Sequence, residues 1–207
     1  MNSDATVFIV DDDADVRDSL RALLESANYK VNDYGSAKAF LAEPVKSGGC
    51  VIVDIRMPDM DGLELQEELV KLEAGIPVIV VTGHGDVPLA VRAMKAGATD
   101  FIEKPYDDEL LLQSVRRAMA ASTTKRASVV ADPAIVELLA SLTPREREVL
   151  EHLIAGRPNK VIAFELGISP RTVEIHRAHL TEKMKVRSLP ELVRVALAAG
   201  VMPADGK

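Results

Sequence analysis

Residues 50–54, Cys-Val-Ile-Val-Asp, constrain this chain more than any other stretch. Four apolar residues run into one carboxylate with no polar break, so the segment does not read as a strand with one face in water. A short apolar run bounded by turn signals, here Gly48-Gly49 before it and Pro58 with Gly62 after it, reads as a strand buried on both faces. Such burial is the habit of parallel sheets, whose ligands collect beyond the carboxyl ends of the strands. Asp54 stands at such an end. Alone, it would be more simply explained as a helix cap or turn residue.

It does not stand alone. Thr6–Val10 is a second strand, ending in Asp11-Asp12-Asp13, and Val16, Leu20, Leu23, Leu24 and Ala27 then recur at helical spacing up to Asn28, a C-terminal stop. Lys30–Tyr34 is a short polar strand expected near a sheet edge, followed by a helix with Ala37, Phe40 and Leu41 that ends near Pro44. After the Asp54 strand come a helix with Leu63, Leu65, Leu69, Val70 and Leu72, and a buried strand at 77–82. Beyond the loop Gly83-His84-Gly85 lies a helix with Leu89, Ala90, Ala93 and Met94, closed by Gly97. Asp100–Glu103 is the fifth strand, stopped by Lys104-Pro105, and a helix from about Asp107 carries Leu110, Leu111, Val115 and Ala118. The alternation predicts an α/β, doubly wound, five-stranded parallel sheet with helices on both faces, over residues 1–121.

In that fold the strand ends bring Asp11, Asp12, Asp54, Thr82 and Lys104 to one rim. Gathered carboxylates repel one another unless a cation joins them. Oxygen donors without His or Cys suit a hard ion, and Mg²⁺ with water in its remaining positions fits best. A metal, a carboxylate nucleophile, a hydroxyl and an ammonium together suit phosphoryl transfer. Asp13 and Asp15 read more simply as a solvated helix N-terminus, where acids are favoured. An aspartyl-phosphate phosphatase would use similar groups, but its acids usually share one strand-end motif of the form Asp-x-Asp-x-Thr/Val. Here the run 11–15 ends in Asp and Asp54 lies on another strand, so no enzyme is expected.

Residues 122–137 have linker composition, with Asp132-Pro133 as an N-cap and first helical residue. From 138 to 207 the chain reads as helices separated by capping signals: Thr143-Pro-Arg-Glu146, Gly156, Ser169-Pro170, Ser188-Leu-Pro-Glu191 and Gly200. Two of these helices join through Gly167-Ile168-Ser169, the spacing of a helix-turn-helix. The second would enter a DNA major groove. Val173, Leu180 and Met184 face inward, Arg171, Thr172, Glu174, Ile175, Arg177 and Ala178 face out, and His176 lies at the border. Lys160, His179, Lys183, Lys185 and Arg187 are candidates for phosphate contacts. A helical interaction domain with a solvated charged face is the alternative. Charge favours two tasks: residues 1–122 hold 22 acids and 12 bases, residues 123–207 hold 10 and 13, so −10 and +3.

Both halves resemble known families. Val10-Asp-Asp12, Asp54 with Met57-Pro58 and Asp61-Gly62, Thr82-Gly83 and Lys104-Pro105 make residues 6–121 similar to the receiver domain of bacterial two-component response regulators. That resemblance implies Asp54 as phospho-acceptor and Mg²⁺ held by Asp11, Asp12, Asp54 and the Arg56 carbonyl. It further implies Thr82 and Lys104 on the phosphoryl oxygens, a cis Lys104-Pro105 bond, and Phe101 as a switch aromatic. Leu142-Thr-Pro-Arg-Glu-Arg-Glu-Val-Leu150, Asn159-Lys160, Leu166-Gly-Ile-Ser169 and Arg171-Thr-Val173 resemble the LuxR-type helix-turn-helix domain. Glu174 and Ala178 stand where other members carry Lys, so base preference does not transfer.

Together the halves look like the FixJ/NarL class. The resemblance implies a sensor histidine kinase as donor and double-stranded promoter DNA as target. It also implies a homodimer when phosphorylated, RNA polymerase as a further candidate partner, and activation as the favoured outcome through relief of receiver inhibition, dimerisation or both. The face carrying Val91, Lys95, Phe101 and Lys104 would change shape. A receiver that binds protein partners without phosphate is the alternative. The opening residues lack the form of a signal peptide and no apolar run is long enough for a membrane span, so a cytoplasmic protein without membrane contact is expected. The single cysteine, Cys50, reads as a buried strand residue.

Overall fold

The structure, a computed structural model, describes residues 6–44, 48–83, 86–123 and 133–204. The expected Asp132 cap and the loop residues His84 and Gly85 lie outside the described residues. Five strands, β1 (Thr6–Val10), β2 (Lys30–Tyr34), β3 (Gly49–Val53), β4 (Val78–Thr82) and β5 (Asp100–Glu103), form one parallel sheet in the order β2-β1-β3-β4-β5. The polar strand β2 takes an edge, as its composition predicts, while β3 and β4 are buried throughout. Between and after them run α1 (Ala14–Ser26), α2 (Ala37–Leu41), α3 (Gly62–Lys71), α4 (Val87–Lys95) and α5 (Asp108–Thr123). Leu20 and Leu24 of α1 and Leu111, Val115 and Ala118 of α5 share one core with Val7, Ile9, Ile52 and Ile79 of the sheet. At about 25 cal/mol per Å² of apolar surface, such burial is the main force holding helices to the sheet.

Helix ends follow local chemistry. The Asp13 carboxylate accepts from the Asp15 and Val16 N–H groups and caps α1, so the helix-terminus reading of these acids holds. Asn28 stops α1 with φ +64°. In α3 the apolar spacing misleads: Val70 and Leu72 are exposed, and Gln66 joins Leu63, Leu65 and Leu69 on the buried face. Leu110 of α5 is likewise partly exposed, with Leu111 beside it fully buried. Asp61 and Glu64 form a reciprocal capping box at the start of α3 that the sequence reading did not anticipate.

A helical unit follows: α6 (Pro133–Ala140), α7 (Pro144–Ile154), α8 (Asn159–Leu166), α9 (Pro170–Lys183) and α10 (Leu189–Ala198). Val149, Leu150, Leu153, Ile162, Val173, Leu180 and Leu192 meet in its core. Thr143 and Glu146 form the expected capping box. Ser188 caps α10 by accepting from the Glu191 N–H, but the Glu191 carboxylate accepts from Arg187 N–H, one residue before the cap, so the box is not reciprocal. Among the described residues no helix is long and apolar enough to cross a membrane.

Gly62 is where backbone packs tightest against the end of β3. Its N–H donates to the Ile55 carbonyl at 3.0 Å, and a Cβ there would lie 2.3 Å from the Asp54 carbonyl oxygen. Gly62→Ala should cost roughly 1–3 kcal/mol of stability, since backbone rather than a pliant side chain must move. Urea unfolding of the two proteins checks this, and equal midpoints would show that the turn relaxes without cost.

Candidate functional site

The sheet register builds the first site. Val10 pairs with Val53, so Asp11 and Asp54 leave β1 and β3 side by side, and the Asp54 N–H donates to the Val10 carbonyl at 2.9 Å. Thr82 pairs with Glu103, and the Lys104 N–H donates to the Thr82 carbonyl at 2.8 Å. The Lys104-Pro105 peptide is cis, as expected. Lys104 Nζ then lies 2.9 Å from Asp11 Oδ2 and 3.0 Å from Asp54 Oδ1. The second oxygen of each acid is also held: Asp54 Oδ2 accepts from Arg56 N–H at 2.6 Å and Asp11 Oδ1 from Asp13 N–H at 2.9 Å. Asp11, Asp54 and Thr82 are buried, Asp12 and Arg56 are exposed, and Lys104 keeps a partly open side chain. Phe101 is buried and pairs with Val80 in the register.

Electrostatics follow from this geometry. Burial pushes the Asp11 carboxyl above its ordinary range; the Lys104 ammonium and the Asp13 N–H oppose that rise, and the Asp54 charge adds to it. Burial also works against the Lys104 ammonium, but its hydrogen bonds to Asp11 and Asp54 and their two charges outweigh it, so Lys104 titrates above an ordinary lysine. The carboxylates brought together at the rim are those of Asp11 and Asp54; Asp12 follows Asp11 and is exposed, and the Arg56 backbone is tied to Asp54 through its N–H. Among the described residues no three His, Cys, Asp or Glu side chains close around a point as a complete metal nest. One or two carboxylates plus a carbonyl, with water completing the shell, is the donor set that suits Mg²⁺. The residues fit that ion.

The second site lies on the helical unit. Gly167 ends α8 in the left-handed conformation at φ +66°, and the Ser169 hydroxyl caps α9 by accepting from Thr172 N–H at 3.0 Å. Val173, Leu180 and Met184 are buried, as the spacing predicts. Arg171, Glu174, Ile175, Ala178 and His179 are exposed, and Thr172, His176 and Arg177 lie partly buried between the two faces. Arg171 and Glu174 pair at 3.1 Å on the open face. An exposed pair of this kind contributes at most about 1 kcal/mol and is readily exchanged for other partners. Arg177 donates to Asn159 Oδ1 at 2.9 Å, tying α9 to α8. Lys160, Lys185 and Arg187 are exposed.

Two side chains matter here that the sequence reading left unused. Arg17 donates to the carbonyls of Asp11 and Asp12, and its only sequence signal is a base one turn into a helix that begins with acids. Glu146, assigned only a capping role, is also buried against Lys183 Nζ at 2.7 Å, with His179 Nδ1 at 3.9 Å. Lys183 is thus engaged inside the unit as well as being a candidate phosphate contact.

Comparison with known proteins covers both units. Residues 7–116 match the family model "Response regulator receiver domain", and residues 140–196 match "Bacterial regulatory proteins, luxR family". The chain is 52% identical over 200 residues to the transcriptional regulatory protein FixJ of Azorhizobium caulinodans, covering 96% of this chain and 95% of that protein. It is 50% identical over 203 residues to FixJ of Rhizobium meliloti, covering 98% and 100%. The crystal structure of full-length FixJ from B. japonicum is similar with a TM-score of 0.56 and 47% identity, covering 96% of this chain and 98% of that one.

Glu146 makes the helical unit acid-sensitive. Burial would raise its carboxyl, but the Lys183 hydrogen bond, the Thr143 backbone and hydroxyl hydrogen bonds and the Lys183 charge together hold it down to about 2. A carboxylate depressed by folding contributes stability that is complete above its unfolded value, near 4.5, and is lost as pH falls through about 2. Glu146→Gln should cost roughly 1–3 kcal/mol near pH 7, because the hydrogen bonds from Lys183 and the Thr143 N–H lose their charged acceptor. The wild-type advantage over the variant should shrink between pH 4.5 and 2. Thermal unfolding of both proteins across that range is the check, and a constant difference would refute the assignment.

Proposed function

Because the chain belongs to the two-component response regulators that join a receiver to a LuxR-type DNA-binding domain, we propose that phosphorylation of Asp54 by a sensor histidine kinase controls its binding to promoter DNA. The observation that carries this reading is the placement of Asp54 at the end of β3, with one carboxylate oxygen on Lys104 and the other on Arg56 N–H. In the transfer, an Asp54 oxygen attacks phosphorus as the bond to the donor imidazole nitrogen breaks; the N–P electron pair stays on that nitrogen and a proton on the other ring nitrogen leaves the donor histidine neutral, with an acyl phosphate on Asp54. Lys104 neutralises charge on the equatorial oxygens, and Thr82, fixed through the backbone to Lys104, offers a hydroxyl to them. Asp11, Asp12, Asp54 and the Arg56 carbonyl would hold Mg²⁺, which when bound neutralises the phosphoryl oxygens and the clustered carboxylates.

Residues 1–121 serve as receiver, 122–137 as linker and 138–207 as DNA-binding domain. Phosphate acts only by favouring one receiver state over another, and Thr82 with Phe101 report that difference. The consequence is activation of transcription through relief of receiver inhibition, dimerisation or both, with RNA polymerase as a candidate partner. A dimer would present two α9 helices to half-sites about one DNA turn apart. On α9, Arg171, Thr172, Glu174, Ile175, His176, Arg177 and Ala178 face or flank the bases, and His179 and Lys183, with Lys160 of α8, lie toward phosphates.

Acetyl phosphate with Mg²⁺ should add one phosphoryl group to the wild type by mass spectrometry and none to Asp54→Asn, and only the treated wild type should gain DNA affinity at fixed salt. Equal DNA binding in both proteins, with no adduct, would favour a receiver that works by protein binding alone. A separate test resolves the contacts. Arg171→Ala should cost about 1–3 kcal/mol and relax specificity at one base pair, whereas Lys160→Ala should weaken all sequences alike and lower the salt slope by about 1. Indistinguishable salt slopes for the two variants would remove that division of roles.

A further inference from the structure

We infer that Arg17 is a positioning residue for the acidic turn 11–13, setting its affinity for Mg²⁺; this rests on the reading of Asp11, Asp12 and Asp54 as the cation's ligands. Arg17 lies one turn past the Asp13 cap of α1, with its side chain only 19% exposed. Nη1 donates to the Asp11 carbonyl at 2.8 Å and the Asp12 carbonyl at 3.1 Å, and Nε lies 3.2 Å from Asp33 Oδ2 on β2. The guanidinium therefore grips the main chain of both acids and leaves their carboxylates to the rim. Asp33 holds the guanidinium in turn and pairs with Arg21 as well.

The two acids do not depend on this grip equally. Asp11 is buried and further held by Lys104, by its own N–H to the Tyr34 carbonyl at 3.2 Å, and by the Asp13 N–H. Asp12 is exposed, so its carboxylate stands where the peptide around it points. Arg17 fixes that peptide. Three acceptors shared between Nε and Nη1 call for a planar fork, and a lysine at this position would supply one compact charge without the fork. Groups that orient ligands without touching the ion typically change metal affinity by roughly 10- to 100-fold when removed.

The test measures Mg²⁺ affinity of the full chain by amide NMR titration with MgCl₂, alongside thermal unfolding, for wild type, Arg17→Ala, Arg17→Lys and Arg21→Ala. Arg17→Ala should bind Mg²⁺ roughly 10- to 100-fold more weakly, and Arg17→Lys should recover only part of the loss. Arg21→Ala, which removes the other partner of Asp33 but touches neither carbonyl, should bind Mg²⁺ as wild type does. With acetyl phosphate the Arg17→Ala rate should be low at limiting Mg²⁺ and rise toward wild type at saturation, a split that general destabilisation would not produce. A folded Arg17→Ala with wild-type Mg²⁺ affinity overturns the inference, as does an equal loss in Arg21→Ala. If the alanine variant does not fold, wild-type affinity in Arg17→Lys overturns it instead. A wild type that binds Mg²⁺ but takes up no phosphoryl group overturns the reading of Asp54 and leaves the Arg17 result standing on Mg²⁺ affinity; one that binds no Mg²⁺ overturns both.

Discussion

The receiver half depends on one ammonium. Lys104 Nζ sits between Asp11 Oδ2 and Asp54 Oδ1, so the ends of β1, β3 and β5 meet on a single charge. Two carboxylates this deep in a sheet would otherwise repel each other and force one to take a proton. Desolvating three charged groups is costly, and ion pairs at such depth seldom add net stability over apolar packing. What they provide here is a defined arrangement that a change at Asp54 must disturb. Phosphorylation of one Asp54 oxygen, giving an acyl phosphate, would replace a single charge by a larger, more extended one. On the proposed reading Lys104 would then have a new set of acceptors, and Thr82, joined to it through the backbone, would be drawn into the same rearrangement.

The helical unit separates what holds it together from what it offers outward. Its core residues on α9, Val173, Leu180 and Met184, lie on the inward side, so exchange of the exposed Arg171, Glu174, Ile175 or Ala178 should leave the fold intact. The small basic excess of this half also takes on meaning. Lys183 is bound to Glu146, Arg157 to Glu165, and Arg145 and Arg147 donate to the carbonyls of Leu166 and Leu139. Several of its cations therefore stabilise the unit itself, and fewer are left to release counterions from DNA than a charge count suggests. A dimer on paired half-sites would double the remaining number.

Strand positions, sheet class and the rim residues were legible because they rest on uninterrupted apolar runs and on single polar residues where those runs stop. Val70, Leu72 and Leu110 misled for the converse reason: in a helix of ten to sixteen residues beside a sheet, an apolar side chain one step from the buried stripe looks in sequence like part of it. The capping box at Asp61 was hidden by its neighbours, since Asp61-Gly62 also reads as a turn. Arg17 and Glu146 were missed for another reason. Each acts on groups distant in sequence, Arg17 reaching Asp33 and Glu146 reaching Lys183, and periodicity carries no information about such pairs.

The two halves also differ in how solvent reaches their charges, and this gives a way to treat them apart. Asp11, Asp54 and Lys104 interact at about 3 Å in a largely buried setting, where mobile ions screen little. Arg171, Lys160, Lys185 and Arg187 stand in water, where a Debye length of about 8 Å at physiological salt governs their reach. Added salt should therefore weaken the output far more than it alters the charge arrangement of the input. On the proposed reading Mg²⁺ would act on both, bound at the rim and as a competitor for DNA phosphates. Titrating Mg²⁺ at constant total ionic strength separates those effects, because only the first depends on the intact Asp54 carboxylate.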